Sequence, residues 1–305
     1  MGLNYHLAGE ILAARTESGA ASIATIGQLQ HFMSPKQARD LCREHGLPAA
    51  ADWTGRLFGS YGPEFFSAIG CKRLTVFDAS AYEGADVVHD MNEPVSAEHH
   101  QQYDIVVDGG SIEHIFRPDQ TLANIMRMVR VGGSAIIWTP ANNLCGHGFY
   151  QFSPEFFYSA LRSSNGFDIT AVRLVECRFP SVSLVPSRAV YDVRSPREIR
   201  DRVGVVSRRP LMMLVRATKL EHLDEPFERT PQQSDYEDHW ASDAPPTGAR
   251  IPGRRMPEPA QAALAAAIAR VRHTHVGSRV IGSALGLREL RRDSLRNRRY
   301  FSRVG

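Results

Sequence analysis

Four short, β-branched or apolar runs each stop at an aspartate or a glycine, and they constrain this chain more than any other feature. They read Ser22 to Gly27, Arg73 to Asp78, Ala85 to Asp90 and Tyr103 to Asp108. Runs of this length, apolar throughout rather than alternating, are expected of strands buried on both faces of a parallel sheet. A fifth run, Ser134 to Thr139, follows Gly132-Gly133, and further strands are expected at 167–176 and 211–217. Between them lie helical segments. Ser34 is placed to cap a helix with Pro35 in its first turn. From Pro118 to Val129, Leu122, Ile125, Met126 and Val129 recur at helical spacing. Another helix is expected to open at Ser153-Pro154. Strands alternating with helices predict an α/β fold: a Rossmann-like, mostly parallel sheet with helices on both faces.

Composition agrees with a globular core, since 43% of the 305 residues are hydrophobic and 23% are charged. The spacing of Cys42, Cys71, Cys145 and Cys177 contains no Cys-x-x-Cys pair, so reduced thiols in a cytoplasmic protein are expected rather than a zinc ribbon or a disulfide framework. The first ten residues have no apolar core of a secretion signal, and no transmembrane run is expected. A change of composition divides the chain into an α/β domain over 1–220, an acidic, proline-rich linker over 221–257, and an arginine-rich helical tail over 258–305. The tail reads first as a solvated arm, then as a contact for anionic surfaces or polyanions, and last as a nucleic-acid arm, because no nucleic-acid motif accompanies it.

In a parallel sheet of this kind, ligands bind at the carboxyl ends of the strands. The residues there are therefore the candidates. Asp78 ends the second run; a carboxylate accepts two hydroxyl donors and suits a ribose, the lesser alternative being a cap on the following turn. Asp90, in His89-Asp-Met-Asn-Glu-Pro94, could accept from an adenine amine or form a local turn. Asp108 opens Asp108-Gly-Gly-Ser-Ile-Glu-His-Ile-Phe116, and Val129-Arg-Val-Gly-Gly133 precedes the fifth strand.

Taken in order, these motifs resemble the class I S-adenosylmethionine-dependent methyltransferases over about residues 20 to 160. The resemblance implies S-adenosylmethionine as cofactor, held by Gly27, Asp78, Asp90 and Asp108, and methyl transfer to an oxygen or nitrogen of a small-molecule or glycan-like acceptor. One departure stands out. The turn after the first strand is Thr25-Ile-Gly-Gln-Leu-Gln-His31, with Gly27 alone, so Gln28 and Leu29 bring side chains where the family keeps bare backbone. The insertion from Gly46 to Lys72 could add substrate contacts from Trp53, Phe58 and Tyr61.

On the acceptor side, His114 and His147 are the candidate general bases, with Glu113, Asn142, Asn143 and Tyr150 as substrate-binding residues. The bland alternatives are a capping Glu113, a packed His114 and loop aromatics that only fill space. No His-x-x-x-His pair with a carboxylate partner occurs, so no metal site is expected. Two rival functions remain: a non-catalytic, methyltransferase-like binding module, and a nucleotide-binding oxidoreductase. The second lacks Gly-x-Gly-x-x-Gly.

Overall fold

The computed structural model describes residues 2–47, 61–177, 189–241 and 293–304. Most of the expected helical tail, residues 258–292, together with Trp53 and Phe58, lies outside them. The first helix, α1 (Tyr5–Ser18), starts where the Asn4 side chain accepts from the backbone N–H groups of His6 and Leu7 at 3.0 and 3.1 Å. Leu7, Ala8, Ile11 and Leu12 form its buried stripe. It leads into β1 (Ser22–Ile26). Next comes α2 (Pro35–Glu44), opened by a reciprocal cap between Ser34 and Gln37. Then follow α3 (Pro63–Ala68), β2 (Arg73–Asp78), β3 (Val87–Val88), β4 (Tyr103–Asp108), α4 (Pro118–Met128) and β5 (Val129–Asn142). The remainder is α5 (Pro154–Ala160), β6 (Phe167–Glu176), β7 (Ala189–Val193), α6 (Pro196–Ile199), β8 (Leu211–Lys219), α7 (Ser234–Ala241) and β9 (Phe301–Arg303).

These strands form one nine-stranded sheet in the order β9-β7-β6-β8-β5-β4-β1-β2-β3. All run one way except β8 and β7, which pair antiparallel with their neighbours. The expected Rossmann-like α/β fold is therefore the one observed. Successive residues feed opposite layers. Ile105 and Val107 enter the core under α1, α2 and α3, whereas Val106 enters the core under α4 and α5. Ile136 and Trp138 alternate with Ile137 in the same way. This double burial is why the strands read as continuous apolar runs.

Several buried charges tie helices to the sheet. Glu10 on α1 accepts from Arg173 of β6 at 2.6 Å and lies 3.5 Å from Arg216 of β8, fixing the helix to the sheet. Lys219 ends β8 with its amine buried, donating to the carbonyls of Met126 and Val129 at 2.7 and 2.8 Å, so it closes the C-terminus of α4. Burial pulls its pKa down to about 8.

Three sequence expectations need correction. The third strand shrinks to Val87–Val88; just before it the Asp86 N–H donates to the Val76 carbonyl at 2.9 Å, and the Asp86 carboxylate accepts the Val76 N–H at 2.8 Å where a backbone carbonyl would continue the ladder. The fifth strand lengthens to Val129–Asn142 through its pairing with β8 and with Tyr103. The boundary at residue 220 does not separate packed from unpacked chain. Arg127 donates to the Asp224 carbonyl and the Glu225 carboxylate, Ser234 is held by Glu155, and Glu237 by Arg162. From the far end of the sequence, β9 extends the sheet and buries Tyr300 and Phe301. Acidic and arginine-rich composition looked like solvated chain, but acids of the linker pair with arginines of the domain, and Arg299 of the tail lies 3.6 Å from Asp201. All four cysteines are free thiols. No described helix is long and apolar enough to cross a membrane.

Candidate functional site

Strand order reverses between β1 and β4, which is where a crevice opens at the carboxyl ends of a doubly wound sheet. On the β1 side, Gly27 turns the chain with φ 79°, and its N–H donates to the Phe77 carbonyl at 2.6 Å. A side chain would strain this left-handed turn. Ser111 bridges the switch point by donating to the Ile26 carbonyl at 2.7 Å. Gln28 reaches across to the Gly84 carbonyl at 3.4 Å. Leu29 is only 2% exposed and lies hard against Gly109 and near Leu7. The two side chains that depart from the resembled motif thus lie beside the switch point, Gln28 toward Gly84 and Leu29 in the core against Gly109.

The three aspartates separate clearly. Asp78 is half-buried at the end of β2, and one of its carboxylate oxygens accepts the Ser80 N–H at 3.1 Å. That bond serves the following turn and leaves acceptor capacity for a ligand. Asp90 is exposed and accepts both the backbone and amide N–H groups of Asn92, at 2.9 and 2.7 Å. Those donors hold its carboxyl below the usual range. Asn92 in turn accepts the Arg117 N–H at 2.9 Å, so Asp90 shapes a loop that docks on α4.

Asp108 is wholly buried. It accepts the N–H groups of Gly110, Ser111 and Ile112 at 2.9, 2.7 and 3.0 Å. The sequence expects a cofactor contact here; in the structure its carboxylate folds the turn that carries the next residues. Burial, with the nearby Glu113 charge, pushes its pKa up to about 7 despite those three donors.

That turn, Ile112–His114, carries Glu113 inward and His114 outward. The Glu113 side chain is fully buried; Oε2 accepts from Thr139 at 3.0 Å, and Oε1 has no hydrogen-bond partner. His147 comes to it from the loop after β5, with Nε2 3.6 Å from Oε1. The loop is tied down by its backbone: the N–H groups of Phe149 and Tyr150 donate to the Glu113 carbonyl at 2.8 and 3.3 Å. Gly148 permits this contact, since a Cβ there would sit 2.7 Å from that carbonyl oxygen. The His114 and His147 rings end 5.1 Å apart, both on the surface. The Glu113 carboxylate holds His147 above its usual value, while burial lowers His114. Exposed Phe116 and Phe149 meet edge to face beside them at 5.8 Å.

The other expected substrate residues do different work. Asn142 donates to the Val205 carbonyl at 3.2 Å, and Asn143 to the carbonyls of Ser207 and Arg209 at 2.7 and 3.0 Å. Their amide donors latch the 205–209 segment. The Tyr150 hydroxyl donates to the Phe116 carbonyl at 2.8 Å and braces the loop. Thr139 was missed from the sequence, because nothing in Trp138-Thr139-Pro140 signals that its hydroxyl faces a glutamate. The expectation of no metal-ligating set also changes: Glu113, His114 and His147 bring one donor atom each within 4.8 Å of one another.

Fold and strand ends together define a Rossmann-like domain with a switch point between β1 and β4 and a polar, histidine-bearing cluster after the carboxyl ends of β4 and β5. No protein-family model and no curated protein matches the chain. Solved structures to which it is similar include several methyltransferases. One is the Burkholderia thailandensis 1,6-didemethyltoxoflavin-N1-methyltransferase, at 14% identity and a TM-score of 0.38, covering 71% of this chain and 78% of that one. Another is the N-methyltransferase NodS from Bradyrhizobium japonicum, at 12% identity and 0.35, covering 70% and 94%. A third is the mitomycin 7-O-methyltransferase MmcR, at 12% identity and 0.34, covering 70% and 53%. Likeness at this level carries no argument about activity.

Proposed function

We propose that the chain is an S-adenosylmethionine-dependent methyltransferase acting on an oxygen or nitrogen of a small-molecule or glycan-like acceptor. The observation that supports it best is Asp78, an aspartate with acceptor capacity to spare, at the end of the strand beside the switch point. Its carboxylate suits a ribose diol, and Gly27 provides the adjoining turn. When bound, S-adenosylmethionine supplies an already activated methyl group, so the protein mainly aligns the acceptor and excludes water. Glu113, His114 and His147 form the acceptor rim: the imidazoles face solvent where an acceptor hydroxyl or amine can approach, and the buried carboxylate steadies His147. Calorimetric titration with S-adenosylhomocysteine tests the reading. Binding is expected, weakened in Asp78→Ala by about 1–3 kcal/mol through lost charge-assisted hydrogen bonds. No binding at millimolar ligand overturns it.

Leu29 favours a second reading. It is packed against Gly109 in the core beside the switch point, where the resembled family keeps bare backbone. If this side chain bars the cofactor, the domain is a non-catalytic, methyltransferase-like binding module. Failure of S-adenosylhomocysteine to bind the wild type, together with binding to Leu29→Ala, would point to that outcome.

A further inference from the structure

We propose that Glu113, His114 and His147 form a binding site for one divalent first-row transition-metal ion. The donor set is one carboxylate oxygen and two imidazole nitrogens, a combination that suits zinc, cobalt, manganese or iron(II) better than calcium or magnesium. The inference deepens the acceptor-rim reading above.

Three independent features carry it. Glu113 is fully buried yet keeps Oε1 without a hydrogen-bond partner and aimed at His147 Nε2. A buried carboxylate oxygen whose facing imidazole lies beyond hydrogen-bond length costs free energy, and a cation between the two supplies what the native contact omits. The spacing also fits. Two donors about 2.1 Å from a shared ion at a near-tetrahedral angle lie about 3.4 Å apart, close to the 3.6 Å between Oε1 and Nε2. The surroundings have the form of an outer shell: Thr139 fixes the other carboxylate oxygen at 3.0 Å, and the Phe149 and Tyr150 N–H groups pin the His147 loop to Glu113 itself. His114 needs only a rotation of an exposed ring to join, since all three donor atoms already lie within 4.8 Å. The remaining coordination positions face solvent. An acceptor oxygen entering one of them would be held in place and made more acidic, the service a metal ion performs as a Lewis acid.

The test uses untagged, chelator-stripped full-length protein titrated with Co²⁺ and Zn²⁺, followed by calorimetry and by the visible absorption of bound Co²⁺. One equivalent is expected to bind. Affinity should fall about tenfold or more in His147→Ala and in His114→Ala, and by a similar factor in Thr139→Val through the outer shell. Glu113→Gln should abolish tight binding. Because that substitution is buried, the two surface histidine variants decide the matter if it does not fold. Absence of stoichiometric binding, or affinity unchanged in both histidine variants, overturns the proposal. S-adenosylhomocysteine binding is measured on the same samples: nucleoside binding without metal binding refutes only the metal site, and metal binding without nucleoside binding refutes only the methyltransferase reading.

Discussion

Asp104 and Asp108 stand four residues apart on β4, both out of water, and the sheet treats them in opposite ways. At the amino end of the strand, Asp104 accepts the N–H groups of Ala21 and Ser22 at 2.8 and 2.7 Å, the Ser22 hydroxyl at 2.9 Å and the Arg130 guanidinium. Burial acts to raise its pKa, but those partners outweigh burial and bring it down to about 2. At the carboxyl end, Asp108 has three N–H donors but no cation, and a second carboxylate, Glu113, lies nearby; burial and that charge bring it up to about 7. One end of the strand is satisfied and serves stability. The other concentrates buried carboxylates around a turn whose next residues face the crevice, which is where perturbed groups gather in working sites.

The comparison can be broken at either end. Asp108→Ala should have the largest effect, about 3–5 kcal/mol of unfolding free energy in urea titrations, because three buried N–H groups lose their acceptor. A loss below about 1 kcal/mol would mean that water or a neighbour replaces the carboxylate. Asp104→Asn should cost about 2 kcal/mol at pH 7, from a pKa lowered by somewhat under two units.

The two groups should also give stability opposite slopes in acid. The Asp104 pKa is depressed on folding, so its contribution is complete above the unfolded value near 4 and is lost as pH falls through about 2. The Asp108 pKa is raised, so its contribution is complete below about 4 and is lost as pH rises toward about 7. Unfolding titrations between pH 2 and 8 should therefore show Asp104→Asn flattening the acid limb and Asp108→Asn flattening the limb from 4 to 7. Identical profiles for the two variants would erase the distinction between the ends. The smallest effect belongs to His147→Ala. Its ring is half exposed, so the change in stability should stay within about 0.5 kcal/mol. A larger thermal shift would make that histidine part of the packing rather than of the rim.

Much of the frame was legible beforehand. The runs ending at Gly27, Asp78 and Asp108 became β1, β2 and β4 almost to the residue, because strands buried on both faces must be apolar throughout. The Ser34 cap was legible too, since a cap is a contact within a few residues. Helix α1 went unremarked, although Leu7, Ala8, Ile11 and Leu12 carry its period; the polar residues around them masked the stripe. In the site, the departure at Gln28 and Leu29 was visible as sequence, but its consequence, a leucine against Gly109, was not.

By itself, the sequence determined the alternation of strands and helices, the positions of the acidic strand ends and the pairing of Glu113 with His114 along the chain. These are local matters, set by periodicity, capping and turn chemistry within a few residues. Tertiary structure alone decided which polar groups are already committed. Asn142, Asn143 and Asp108 turned from candidate ligand contacts into latches, because their partners are backbone groups whose orientation no residue type reveals. It also decided that β9 closes the sheet's edge, and that Thr139 and His147 reach Glu113. Those contacts join residues far apart in the chain, and only the register and twist of a folded sheet bring such residues within ångströms of one another.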